Sequence, residues 1–155
     1  MGKEEGSRMK LYLDSCCYNR PFDGKNQLRI RIEASAKMRI QEQIVQRRYK
    51  LVTSVILYHE NSRNRNETSA EQIESYMDAY SDEYVDEEDY QKIIPLKDEI
   101  MKKGLKKMDA AHIACAIYAG CDYFITTDDR ILKLRDSRIK VINPTDFVLI
   151  EEANK

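Results

Sequence analysis

The run KKMDAAHIACAIYAGCDYFITTDDRIL, residues 106–132, constrains the fold more than any other part of the chain. Asp109 opens an apolar helix over 109–119, Gly120 ends it, and DYFIT at 122–126 reads as a strand running into Thr127, Asp128 and Asp129. Three more short apolar runs have strand character: KLYL at 10–13, which ends in Asp14, then Leu51–Val52, and Ile139–Ile142. An order of this kind can bring acids from distant elements together at one edge of a sheet.

Helical sequence separates the strands. Leu28, Ile32, Ala36, Ile40, Ile44 and Tyr49 recur near the helix period, which predicts a helix from Leu28 to about Arg48. Thr53 or Ser54 can cap a helix that carries Val55, Ile56, Tyr58, His59 and Glu60. Ser69 with Gln72 forms a capping box for a helix over 70–80. A further helical stretch from about Glu87 is interrupted by Pro95, restarts near Leu96 and stops at Gly104. Asn143 and Pro144 start a last turn containing Phe147. Residues 15–27, SCCYNRPFDGKNQ, read as an irregular loop. Short apolar strands alternating with helices predict a three-layer α/β/α, Rossmann-like body around a parallel sheet of four or five strands. Sites in such sheets lie beyond the carboxyl ends of the strands, where Asp14 and Asp128 fall.

At 155 residues the chain fits one domain, read here as 9–150 with 1–8 as a flexible N-terminal extension. A net charge of −1 excludes a general pull on nucleic acid, but the charge is unevenly spread. Residues 67–89 carry many acids and no lysine or arginine, whereas Arg29, Arg31, Lys37, Arg39, Arg47, Arg48 and Lys50 face only Glu33 and Glu42 within 29–50. Both segments fit solvated helix faces, and the basic one also fits a guide for a polyanion. Cys16, Cys17, Cys115 and Cys121 lack zinc-site spacing and read as buried small residues in a reducing cytoplasm. The N-terminus has no apolar signal core and no stretch approaches 18 apolar residues, so a cytoplasmic protein without a membrane partner is expected.

Four acids stand out by position: Asp14, Glu60, Asp109 and Asp128. Gathering them without a cation is costly, because like charges at short range oppose ionisation. A hard divalent cation removes that cost, and magnesium needs only two or three carboxylates besides water. Each acid also has a plainer reading: a turn for Asp14 and Asp128, a solvated helix residue for Glu60, a helix cap for Asp109. One-metal and two-metal chemistry both fit. Thr126 and Thr127 can orient a carboxylate or a water, His112 can share a helix face with Asp109, and Arg20 and Arg130 can touch phosphate.

The pieces LYLDSCCYNRPFD, VTSVILYHE, KKMDAAHIACA, CDYFITTDDRILK and VINPTDF together resemble the PIN-domain family over almost the whole chain. That resemblance implies that Asp14, Glu60, Asp109 and Asp128 form an acidic quartet and that Thr126 is the hydroxyl residue before its last member. It implies a metal-dependent endoribonuclease using Mg²⁺ or Mn²⁺ on RNA. For a small stand-alone member it further implies a toxin held by an antitoxin-like protein, and a homodimer. A non-catalytic RNA-binding or protein-interaction module of the same architecture is the alternative. The chain departs from the commonest small-toxin pattern at Cys16 and in the run NRPFD at 19–23.

Overall fold

The computed structural model describes residues 8–18 and 28–154. Strands β1 (Lys10–Leu13), β2 (Lys50–Ser54), β3 (Ser81–Val85), β4 (Tyr123–Ile125) and β5 (Lys140–Ile142) form one sheet in the order β3-β2-β1-β4-β5, with every neighbouring pair parallel. The helices are α1 (Leu28–Val45), α2 (Val55–Ser62), α3 (Glu67–Tyr80), α4 (Glu87–Lys92), α5 (Ile94–Met101), α6 (Lys107–Tyr118), α7 (Asp129–Leu132) and α8 (Pro144–Ala153). They flank the sheet, giving the expected Rossmann-like α/β/α class.

The three inner strands show why a parallel sheet forms. Leu11, Tyr12, Leu13, Leu51, Val52, Phe124 and Ile125 are all fully buried, as strands covered on both faces require. The apolar character of α6 on every side has the same origin, since Ala110 through Ala116 are buried without interruption. From β1 the chain runs out to β2 and β3, then returns to β4 on the opposite side. The strand order therefore reverses at β1, the crevice where ligand sites of open α/β sheets lie. Leu13 pairs with Ile125, so Asp14 and Thr126 leave the sheet at the same level.

Strand β3 was not legible in the sequence. Its residues SDEYV sit in the acidic stretch and carry no apolar alternation, because this is a polar edge strand. Asp82 there accepts a bond from the Leu51 N–H at 2.8 Å, where the pairing with β2 shifts register. Helix α3 begins at Glu67 under an Asn66 cap rather than under Ser69. Helix α6 begins two residues before Asp109, which is therefore a first-turn residue and not the cap. Gly104 and Gly120 end their helices with φ of +105° and +72°, a conformation that glycine adopts freely. The expected 15–27 loop begins with a 3-10 turn over Ser15–Cys17, and Arg20 and residues 1–7 lie outside the described residues.

The basic segment is partly committed within the molecule. Arg39 pairs with Glu151 and Glu152 on α8, Arg29 with Glu33 and Asp129, and Arg47 with Asp82. Among the described residues, no helix is long and apolar enough to cross a membrane.

A buried carboxylate pins the turn before β5. Arg138 donates to both oxygens of Asp136, and Lys103 reaches Oδ2 at 2.8 Å, so these cations hold the Asp136 carboxyl far below the usual carboxylate range. A depressed folded-state pKa stabilises the fold above the unfolded value, near pH 4, and the contribution fades as pH falls further. Because Arg138 is partly exposed, Asp136→Asn should cost only about 1–2 kcal/mol at pH 7. Urea denaturation of both proteins should show this gap shrinking below about pH 4; a gap unchanged at pH 2.5 would refute the assignment.

Candidate metal centre

Asp14 emerges from β1 in extended backbone, and its N–H donates to Ile125 O at 2.9 Å, which fixes it beside β4. Its Oδ1 accepts the Ser15 N–H at 2.9 Å, and its Oδ2 accepts the Thr126 hydroxyl at 2.7 Å. The same Thr126 oxygen accepts the Asp128 N–H at 3.0 Å, so one buried hydroxyl aligns the loops after β1 and β4. Asp128 caps α7, with Oδ1 accepting from Arg130 N at 2.8 Å and Ile131 N at 3.3 Å. Its Oδ2 has no donor among the described residues, so capping leaves half of the carboxylate open.

Glu60 reaches this edge from α2. Ser54 ends β2 and caps α2 by accepting the Leu57 N–H at 3.2 Å, which sets the helix running directly off the sheet. Glu60 Oε1 accepts from the Ser15 hydroxyl and lies 2.8 Å from His112 Nε2. Behind it, His112 Nδ1 is 2.7 Å from Tyr12 Oη, which is 2.7 Å from Ser54 Oγ. One set of proton positions satisfies every partner: Leu57 N–H to Ser54, Ser54 to Tyr12, Tyr12 to Nδ1, and Nε2–H to Glu60. The ring of His112 is then neutral and Glu60 ionised. Accordingly, the bonds from His112 and Ser15 hold the Glu60 carboxyl below its ordinary range, against the opposing effect of burial.

Asp109 behaves in the opposite way. Partial burial pushes its carboxyl up, and the charges of Asp14, Asp128 and Glu60 push it further. Asp109 thus lies within electrostatic reach of the other three acids. Ligand atoms of Asp14, Glu60 and His112 lie within 4.8 Å of one another, a cluster able to hold a divalent cation. The donor chemistry fits such an ion, since hard oxygens predominate and a cation would relieve the raised Asp109. His112 is fully buried with both nitrogens engaged, so its present bonding supports Glu60 rather than offering a free ligand atom.

The other expected residues are dispersed. Thr127 donates to Cys16 Sγ at 3.2 Å, and that sulfur stands 3.8 Å from Asp14 Oδ2. Arg130 is exposed beside Asp128, and Asp129 opens α7 as a structural residue. Sequence reasoning missed Tyr12 and Ser15 as site residues and gave Ser54 only as a possible cap of α2, which it is. Tyr12 could have been found, because it stands two residues before Asp14 and alternate residues of a strand share a face.

No protein-family model matches the chain, and no curated protein matches it. Among solved structures, the chain is similar in fold to VapBC2 from Rickettsia felis, whose crystal structure holds it bound to a DNA fragment from its promoter. The TM-score is 0.54 at 14% identity, over 87% of this chain and 98% of the other. This likeness establishes a PIN-like fold.

Proposed function

We propose that this chain is a metal-dependent endoribonuclease that hydrolyses RNA phosphodiester bonds at Asp14, Glu60, Asp109 and Asp128. The observation that carries the reading is the cluster at the sheet edge, where ligand atoms of Asp14, Glu60 and His112 lie within 4.8 Å of one another, with Asp109 close enough to feel the charges of Asp14, Asp128 and Glu60. Asp14, Asp109 and Asp128 hold Mg²⁺ or Mn²⁺ in this reading. When bound, the ion supplies Lewis-acid activation of water and neutralises charge on the phosphoryl oxygens. Thr126 keeps Asp14 and the Asp128 loop in register. Glu60 uses Oε1 for Ser15 and His112, which leaves Oε2 to orient the attacking water. The bonds from His112 and Ser15 that lower the Glu60 carboxyl also fix its orientation, so its role in this reading is to position the water. Water attacks directly, and no covalent enzyme intermediate forms.

A protein partner is a second reading, favoured by one observation. Leu28 and Ile32 are exposed one turn apart on α1, a small apolar patch suited to an antitoxin-like chain or a second copy. This cytoplasmic module would bind its partner whether or not it cleaves RNA.

Cleavage of a mixed RNA pool under Mg²⁺ or Mn²⁺, with EDTA as control, tests the first reading. Strand scission that requires the metal is expected, together with stabilisation of about 2.7 kcal/mol at metal concentrations a hundredfold above Kd. Metal binding without cleavage would leave only the interaction module. Hydrolysis confined to phosphate monoesters would replace the nuclease with a phosphatase.

A further inference from the structure

We propose that Cys16 and Cys17 are a peroxide-sensitive thiol pair whose oxidation to a disulfide disarms the metal centre. The effect on RNA rests on the ribonuclease reading; the chemistry of the pair does not. The two sulfurs stand 3.9 Å apart, and both thiols are free. Cys16 is partly exposed, whereas Cys17 is buried. The Cys16 sulfur stands among the residues of the centre: it lies 3.8 Å from Asp14 Oδ2 and 3.9 Å from the Thr126 hydroxyl, and it accepts the Thr127 hydroxyl at 3.2 Å. The Cys17 sulfur is held against β4, donating to Ile125 O at 3.3 Å. One thiol is thus open to a small oxidant, and the other is shielded by the fold. Neither has a part in the proposed hydrolysis.

Hydrogen peroxide supplies the oxidising equivalents. The Cys16 sulfur attacks one peroxide oxygen, the O–O bond breaks, and a sulfenic acid and one water result. The Cys17 sulfur then attacks the sulfenic sulfur; its S–O bond breaks as the S–S bond forms, and a second water leaves. Two thiols have lost two protons and two electrons, and one peroxide has become two waters. Such a bond cannot form within the present turn. Neighbouring Cα atoms are about 3.8 Å apart, short of the span of about 4.4–6.8 Å that ordinary disulfides bridge. Closure therefore pulls the turn over Ser15–Cys17 out of shape, and this turn orients two of the acids. The Cys17 N–H donates to Asp14 O at 2.8 Å and Gln41 Nε2 to Cys17 O at 2.7 Å, while Ser15 gives its N–H to Asp14 Oδ1 and its hydroxyl to Glu60. Disulfides that depart from ordinary geometry are also easily reduced, so a thiol reductant restores the centre.

The tryptic fragment 11–25 holds both thiols and no methionine, so its mass reads the modification directly. Metal-free protein is treated with a small excess of hydrogen peroxide, the peroxide is removed, and Mn²⁺ is added. The fragment should lose two hydrogen atoms, while Mn²⁺ affinity, followed by water-proton relaxation, and RNA cleavage should each fall roughly 10- to 100-fold. Dithiothreitol should reverse all three changes. Cys16→Ser, which lacks the exposed thiol, should show none of them. A fragment that stays unchanged, that gains oxygen instead, or that cross-links to Cys115 or Cys121 would overturn the proposal. So would a disulfide that leaves Mn²⁺ affinity intact, or an equal loss of affinity in Cys16→Ser. The two readings fail separately. A disulfide in a protein that binds no Mn²⁺ even when reduced leaves the thiol pair standing and strikes the nuclease reading, and Mn²⁺-dependent cleavage without a disulfide does the reverse.

Discussion

Asp14→Asn should lower metal-dependent RNA cleavage by about 10³-fold or more while the protein stays folded. The fold survives because the amide oxygen still accepts the Ser15 N–H, although the Thr126 hydroxyl loses an ionised acceptor, at a cost of about 1 kcal/mol. Asp109→Asn should abolish cleavage too, but with the opposite effect on the metal-free fold. Its carboxyl is raised by burial and by neighbouring acids, so ionising it opposes folding. A raised acid pKa favours the fold at low pH, and stability falls as pH rises from the unfolded value, near 4, through the folded one. The asparagine protein escapes that fall. Its stability advantage over the wild type, about 0.5–1 kcal/mol at pH 7 in EDTA, should vanish below about pH 4. Saturating Mn²⁺ should reverse the ranking, since only the wild type gains the cation. Denaturation curves at two pH values, with and without Mn²⁺, make the comparison; wild-type turnover in either variant would remove that residue from the site.

The second large effect concerns a residue with no direct claim on substrate. His112 is fully buried between Tyr12 and Glu60, so His112→Ala opens a cavity and cuts a polar chain in the core. Tyr12 keeps Ser54 as a partner, which limits the loss to about 2–4 kcal/mol. Cleavage should fall by roughly 10- to 100-fold, because Glu60 loses one of the two donors that fix its Oε1. Conservative variants separate packing from positioning. The Gln amide can reach the place of Nε2 and donate to Glu60, whereas Asn mimics Nδ1 and serves Tyr12. His112→Gln should therefore restore activity better than His112→Asn at similar stability. Equal activity in the two would assign His112 to packing alone.

The sheet and its acids were legible to different degrees, for physical reasons. Strands β1, β2 and β4 are buried on both faces and announce themselves as apolar runs; β3 is a polar edge whose role comes from its partner β2. Asp14 and Asp128 could be placed because the topology puts strand ends at one edge. Glu60 needed more than pattern, since nothing around it in the sequence distinguishes it from a solvated helix residue. His112 looked peripheral because its partners, Tyr12 and Glu60, are 100 and 52 residues away in sequence. A hydrogen-bonded chain across four elements leaves no periodic trace in any of them.

The Thr126 hydroxyl that joins the two loops bears on when this protein can act. It binds a carboxylate 112 residues earlier in the chain, and β1 cannot acquire its β4 neighbour until that strand exists. Pairings of such sequence separation form late, after the loop-closure cost has been met. On the ribosome, then, Asp14 waits without its partner until β4 and Thr126 have emerged. A nascent chain that stops short of β4 carries an incomplete acid cluster, so under the proposed function cleavage begins only after Thr126 has been made and has joined Asp14.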